Sequence, residues 1–287
     1  MAECFEGVRT MGLRINTNTQ SIAAQRNLGI NLMGQQSSVE KLASGSRIVR
    51  AADDAAGLAI SEKMKASIRS IRQDVRNAND GISMIQTAEG GMNEISNILT
   101  RFRELSIQSS SDTISDTERG FIDKEVGQLR SEVDRIAAST EFNGKKLLNG
   151  EGNMMEIQVG QNNRPEQDRF QYDTSKTNAT TDKLGIGGIS VATKEQSQEN
   201  LAKIDTAIKN LSGNRAELGA LQNRLQSAVN NLGIYDENLS AANSRIRDVD
   251  MASETAKMTQ QNILTQASTA VLSQANSNSQ LALKLLS

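Results

Sequence analysis

The chain has 287 residues, the span of one or two domains, yet only 2% are aromatic, with no Trp, five Phe and two Tyr, so a compact globular core is not expected. Thirty-two basic residues against 34 acidic ones give a net charge of −2 with no block of like charge, which excludes electrostatic capture of nucleic acid or an anionic membrane. Histidine is absent, removing the usual general base and the commonest zinc ligand, the lone Cys4 cannot close an intramolecular disulfide, and no apolar run reaches the roughly 18 residues of a membrane span.

One proline and 21 glycines leave little to interrupt helices, so long helices are the default. The start, "MAECFEGVRTMGLRINTN", lacks the apolar centre of a cleaved secretory signal. From 15 to 42, Leu28, Leu32, Val39 and Leu42 fall at steps of four, seven and three among many Asn, Gln and Ser, a helix with one narrow apolar stripe.

Residues 42 to 64, "LASGSRIVRAADDAAGLAISEKM", set Asp53 beside Asp54. Neighbours on a helix point about 100° apart and no histidine or nucleophile accompanies them, so the pair is not catalytic. Asp54 reads as the N-cap of the next helix, its carboxylate accepting from free amides and matching the dipole, and Arg47 and Arg50 can then pair with aspartates within this connection or across a contact between chains.

That helix is expected from Asp54 to about Ser109, with Ile71, Ala78, Ile85, Met92 and Leu99 in one heptad register and Ile68, Val75 and Ile82 in the other. After the polar "SSSDTISDTERG", Ile122, Val126, Leu129, Val133 and Ile136 mark a third, shorter amphipathic helix. Residues 141 to 190 lose the heptad and gain turn signals: Asn143-Gly144, Asn149-Gly150, Pro165 and "GIGG" at 185 to 188. There "MMEIQVG" and "DRFQYDT" alternate at the strand period, predicting a β-hairpin or small sheet.

From residue 201, Ile204, Leu211, Leu218, Leu225, Leu232, Leu239 and Ile246 recur every seventh position, a coiled-coil face longer than an ordinary globular helix. The positions three before are mixed, with Arg215, Gln222, Asp236 and Asn243 among Leu201, Ile208 and Val229. Residues 258 to 287 place Leu264, Ala267, Val271, Ala275, Ala282 and Leu285 on one narrow stripe of mostly small residues. Neither end carries enough apolar surface to offset about 1 to 2 kcal/mol of backbone entropy per ordered residue, so each should need a partner to fold.

The fold class expected is mainly α: long coiled-coil helices from both chain halves packed as a bundle, with a small β-hairpin region in the middle. Residues 11–46 and 250–287 are the terminal helices, 47–57 the connection, 58–140 and 194–249 the bundle, and 141–193 the hairpin and loops. Two ends awaiting assembly around a self-sufficient middle suit a polymer subunit. Met84, Met92 and Met154 read as packing rather than metal ligands, since no Cys or His joins them. Asp248 and Asp250 read as turn or capping residues, because a calcium loop needs several more oxygens, and "GIGG" lacks the lysine and helix of a phosphate loop. No cofactor and no metal is expected.

"INTN", "LASGSRIVRAADDAAGLAISEKM", "RELSIQSS", "EFNGKKLL" and "TQASTAVLSQAN" resemble, in order, the signature stretches of bacterial flagellin, and the likeness covers nearly the whole chain from Met11. The resemblance implies a non-enzymatic filament subunit in the extracellular bacterial flagellum, a helical homopolymer whose termini form an inner coiled-coil tube and whose bundle forms an outer tube. The polymerisation seam would comprise Leu28, Leu32, Val39, Leu42, Leu264, Val271 and Leu285, and the stretch with Arg47, Arg50, Asp53 and Asp54 would be the connecting spoke, with contacts between helices or subunits. It also implies export by the flagellar type III apparatus without a cleaved signal, an export chaperone, and hook-associated and cap proteins as neighbours. Nucleic acid and membrane insertion are not among the implied partners.

Flagellins typically begin near the segment here written "MGLRINTN", so residues 1–10 are expected to be an extension or a misplaced start. The roughly 50 residues between the helices leave no space for the large variable outer domains of many flagellins. Flagellins of many bacteria are sensed by a host Toll-like receptor, and the family's motif maps onto Arg101, Leu105 and Glu125, with Thr100 where the family has glutamine. Bundle packing for Leu105 and a solvated face for the charges is the competing reading. A flagellin-like protein of the hook-filament junction remains the alternative, whereas a flagellin carrying an HExxH metallopeptidase is excluded by the absence of histidine.

Overall fold

The computed structural model describes residues 17–151 and 154–284. Seven helices are described among them: α1 (Thr19–Ser44), α2 (Ala55–Ser109), α3 (Asp116–Ser139), α4 (Pro165–Asp168), α5 (Thr181–Leu184), α6 (Lys194–Arg247) and α7 (Met251–Lys284). Four short strands interrupt them, β1 (Glu141–Phe142), β2 (Lys145–Lys146), β3 (Met155–Gln158) and β4 (Arg169–Tyr172). The described residues fall into two compact units, one within 66–240 and one within 17–65 with 241–284, so that α2 and α6 each contribute to both.

Caps set the helix ends. Asp54 Oδ1 accepts from the Gly57 amide at 2.8 Å and opens α2, as its position predicted. α3 starts in a reciprocal capping box: the Ser115 hydroxyl accepts from the Glu118 amide, and the Glu118 carboxylate accepts from the Ser115 amide. α1 ends at Gly45 in the left-handed region, φ 67°, where a side chain would be strained.

In the unit of 66–240, the heptad residues Ile71, Ala78, Ile85, Met92 and Leu99 of α2 are wholly buried, as are Val133 and Ala137 of α3 and Ile204, Ala207 and Leu225 of α6. Leu147, Leu148, Ile186 and Val191 from the intervening segment close the same core. The aromatic count therefore misled: a continuous core forms because aliphatic side chains at three- and four-residue steps interdigitate at close-packed density without large rings. Further along α6 the heptad residues Leu232, Leu239 and Ile246 are only half-buried.

The mid-chain strands form two antiparallel pairs. Asn143 (φ 49°) and Gly144 (φ 76°) make the two-residue turn joining β1 to β2, with Phe142 opposite Lys145, as an Asn-Gly pair favours. β3 and β4 pair Met155 with Tyr172 and Gln158 with Arg169, confirming the alternation of the two predicted segments. Ile157 packs so closely on α2 that a Cβ on Gly81 would lie 2.7 Å from its Cδ1. Pro165 opens α4, where its fixed φ costs nothing, and Gly185 (φ 74°) in "GIGG" ends α5.

Candidate functional site: the paired terminal helices

In the other unit α1 and α7 pack along one another. Among the buried and half-buried residues of α1, Ser21, Ala24, Leu28, Asn31, Gln35, Ser38 and Leu42 follow steps of three and four. Among those of α7, Glu254, Met258, Gln261, Thr265, Ser268, Leu272 and Ala275 do the same. Both are coiled-coil registers, but mostly of polar or small residues.

Hydrogen bonds across the seam replace apolar contact. Asn18 Nδ2 donates to the Ala275 carbonyl at 2.9 Å, Ser21 Oγ to Asn276 Oδ1 at 2.9 Å, and Asn31 Nδ2 to Ser268 Oγ at 3.0 Å. Gln35 Nε2 donates to Asn262 Oδ1 at 2.6 Å, and Ser38 Oγ to Glu254 Oε1 at 2.7 Å. The Ser38 bond, followed by Lys257, holds the buried Glu254 carboxyl below its ordinary range against the opposing effect of burial. Gly34 admits the Gln261 side chain, which a Cβ would approach to 3.0 Å.

The apolar stripe expected to be one seam is therefore split. Leu28 and Leu42 lie half-buried on the α1 face in the register, while Leu32 and Val39 face outward and are exposed. On α7, Leu264 and Val271 are exposed while Ala275 is buried. Leu285 lies outside the described residues. The reason is geometric: the register runs from Leu28 through Asn31 to Ser38, so Leu32 and Val39, each one position past a seam residue, turn about 100° away from it. The outward side of α7 carries an apolar groove of about 760 Å³ lined by Met251, Thr255, Thr259, Ile263 and Leu264. Ile22, Ile30 and Met33 of α1 are exposed as well.

The segment between α1 and α2 is fixed by backbone groups, and within the single chain the hydrogen bonds of Arg47 and Arg50 go elsewhere than to the aspartates. Arg47 donates from Nε and Nη2 to the Ile246 carbonyl at 3.1 and 2.7 Å, and its amide donates to the Arg247 carbonyl at 2.6 Å. Arg50 instead forks onto Glu40, Nη2 to Oε1 at 2.6 Å. Asp53 Oδ2 accepts the amides of Arg50 and Val49 at 2.9 and 3.0 Å, the two leading causes that lower its carboxyl below the ordinary value. In a tight turn exposed amides are nearer to a short aspartate than a long guanidinium is. Ile48, 1% exposed, anchors this segment. Asp250 caps α7, accepting the Ala252 amide at 3.0 Å, and Asp248 pairs with Ser46 in an antiparallel bridge.

In the 66–240 unit, Arg101 joins Glu125 (Nη2 to Oε1, 3.0 Å) and Glu104 (3.0 Å), linking α2 to α3 on an exposed face. Hydrogen bonds donated to these two carboxylates, Glu104 first, raise the Arg101 guanidinium above its ordinary value. Leu105 does not join them: it is 1% exposed, in the core, so it adds no apolar area to that surface. Four residues set Arg101 and Leu105 only about 40° apart on α2, so Leu105 falls inside the buried face and Arg101 at its rim. The Thr100 hydroxyl folds back onto the Ser96 carbonyl at 3.0 Å. Met84 and Met92 are core residues, whereas Met154 is exposed rather than packed in the hairpin.

Among the described residues no group of three or more acidic or cysteine side chains could hold a metal ion, and no helix is long and apolar enough to cross a membrane. The polar seam was the feature missed in the sequence. Its signal is the step pattern Ser21, Ala24, Leu28, Asn31, Gln35, Ser38, Leu42, which a search for apolar residues passes over.

Two family models match: the bacterial flagellin N-terminal helical region over residues 15–153 and the C-terminal helical region over 201–286. A flagellin of Halalkalibacterium halodurans is 45% identical over 95% of this chain and 99% of its own length. The flagellar filament 30.7 kDa core protein of Treponema maltophilum is 45% identical with the same coverage, and a Bacillus subtilis flagellin is 41% identical over 96% of this chain and 100% of its own. Among solved structures, Bacillus cereus flagellin is 32% identical, covering 55% of this chain and 88% of that one with a TM-score of 0.49. A Vibrio parahaemolyticus structure described as a flagellar hook-associated protein shares the fold at a TM-score of 0.57, over 68% of this chain and 100% of that one, at 14% identity. With matched regions at both ends and near-complete coverage of relatives of its own size, the chain belongs to the bacterial flagellin family, in a short form without a large outer domain.

Proposed function

We propose that this chain is a structural subunit of the bacterial flagellar filament, polymerising through the outward faces of α1 and α7. The observation that carries the reading is the exposure of Leu32, Val39, Leu264 and Val271 on helices already paired through a separate polar seam. Apolar residues left outside an intramolecular coiled coil are those a neighbouring subunit can cover. The naming of relatives as flagellins and filament core proteins supports the same role. Export as a monomer through the flagellar type III apparatus with a chaperone, and hook-associated and cap proteins as axial neighbours, belong to this proposal, as does an extracellular site of action.

The Arg101–Glu125 face remains a proposed surface for a host Toll-like receptor, as a charged patch without Leu105. Electron microscopy of the purified chain under polymerising conditions, beside cells deleted for it, tests the main reading. Filaments in vitro with loss or alteration of the cell-surface filament are expected. Failure to polymerise together with unaltered cell filaments would overturn it.

A further inference from the structure

Asp74 lies on α2 between Ile71 and Ala78, both wholly buried, and is itself only 5% exposed. Its Oδ2 has no hydrogen-bond partner. One turn on, Asn77 Nδ2 donates to the Gln158 carbonyl at 3.1 Å, which seats the β3–β4 hairpin on this part of α2, and where α4 passes into β4 lies a second buried carboxyl, Asp168, whose charge acts on Asp74. Asp168 is fixed in the foot of the β3–β4 hairpin: its Oδ2 accepts the Arg164 amide at 3.0 Å, and its carbonyl accepts the amides of Val159 and Gly160 at 2.8 and 3.1 Å. Gly160 approaches so closely that a Cβ there would meet the Asp168 carboxyl.

Arg69 of α2 is exposed, and the other basic groups nearby are engaged elsewhere. On α2, Arg72 pairs with Asp236 and Arg76 with Gln73. On the hairpin and its loop, Arg164 donates to Gln167 and Arg169 to Glu156. On α6, Arg224 stacks on the Phe170 ring at 4.9 Å, and residues 225–235 carry no charge. A buried carboxylate without a counter-charge is strongly disfavoured, and such a group takes up a proton instead. Burial first, and the Asp168 charge second, hold the Asp74 carboxyl above its ordinary range.

The geometry points to a proton-operated latch in the outer bundle: the foot of the β3–β4 hairpin docks on α2 while Asp74 is neutral and loosens when Asp74 ionises against Asp168. The sign follows from the raised value. Asp74 favours the docked fold fully below its unfolded pKa, and that contribution is lost as pH rises through the folded one.

The full-length monomer tests this by amide exchange of residues 155–172 and by urea unfolding, wild type beside Asp74→Asn and Asp168→Asn. At neutral pH the Asp74→Asn chain should show slower exchange in the hairpin and a urea midpoint above the wild type. At pH 4 the two should converge, and Asp168→Asn should show a smaller gain of the same sign. Carbon-detected NMR titration of the wild-type Asp74 carboxyl, which needs no variant to fold, should place its midpoint above the other aspartates. An ordinary midpoint there, or an Asp74→Asn chain no more protected than wild type at neutral pH, overturns the latch.

Discussion

Charge placed on the outward face of α7 should separate folding from assembly. Leu264 is 40% exposed and Val271 58% exposed in the single chain, so Leu264→Asp or Val271→Asp removes only part of a buried apolar side chain from the fold. Exposed substitutions of this kind stay within about 0.5 kcal/mol of wild-type stability. In a polymer that covers this face, each variant loses about 1 kcal/mol of the 1.5 to 3 kcal/mol available from full burial. It also leaves an uncompensated carboxylate out of water, at several kcal/mol. A total near 5 kcal/mol raises the critical concentration by roughly three orders of magnitude, at about 1.4 kcal/mol per factor of ten. Circular dichroism melting should be unchanged while sedimentation shows no polymer at concentrations where wild type assembles. Ala275→Asp is the contrast, because Ala275 is buried against α1 and its variant should melt earlier as a monomer. Wild-type critical concentrations for both Leu264→Asp and Val271→Asp would refute the outward-face reasoning.

Adjacent glycines in α2 should respond with opposite signs. A Cβ on Gly90 meets nothing within 4 Å, so Gly90→Ala should add about 0.5 to 1 kcal/mol of helix stability; a Cβ on Gly91 falls 2.7 Å from Thr140 Oγ1 and 2.8 Å from Leu148 Cδ1, so Gly91→Ala should lose about 1 to 3 kcal/mol in urea unfolding. Ser38→Ala removes the hydrogen bond to ionised Glu254 and should cost about 1.5 to 3 kcal/mol of α1–α7 pairing. Because that bond lowers the Glu254 carboxyl, its contribution is present above the ordinary glutamate value and lost as pH falls through the lowered one; helix content followed by circular dichroism should show wild type and variant converging in acid. In receptor-signalling assays with purified monomer, Thr100→Gln should gain and Arg101→Ala should lose activity, and no change in either withdraws this face as the recognition surface.

The bundle was legible in the sequence because its signal is redundant. Ile71 to Leu99 and Ile204 to Leu225 each repeat an aliphatic residue every seven positions, and a period carried by large apolar groups declares both the helix and its buried face. Asp54 was equally legible, since an N-cap depends only on its own side chain and the next three amides, and Asn143-Gly144 declared its turn by backbone sterics alone. The contacts of Arg47 and Arg50 were not legible, because the Ile246 carbonyl lies 199 residues from Arg47 in sequence and comes within reach only in the fold. The same holds for Leu105, whose inward aim depends on which side of α2 meets α3 and the hairpin region. Nor did sequence show that the buried Asp74 would feel the charge of Asp168, a carboxyl on a separate element brought to α2 by the hairpin.

The terminal helices divide the two kinds of information most clearly. Sequence alone determined that they are helical and narrow in apolar surface. Only the tertiary structure decided that their first partners are each other, through Asn, Gln, Ser and Thr at coiled-coil spacing. Hydrogen bonding is directional and pairwise, so a polar residue's value at an interface is set by the atom opposite it, whereas an apolar residue's tendency to be buried travels with the residue itself.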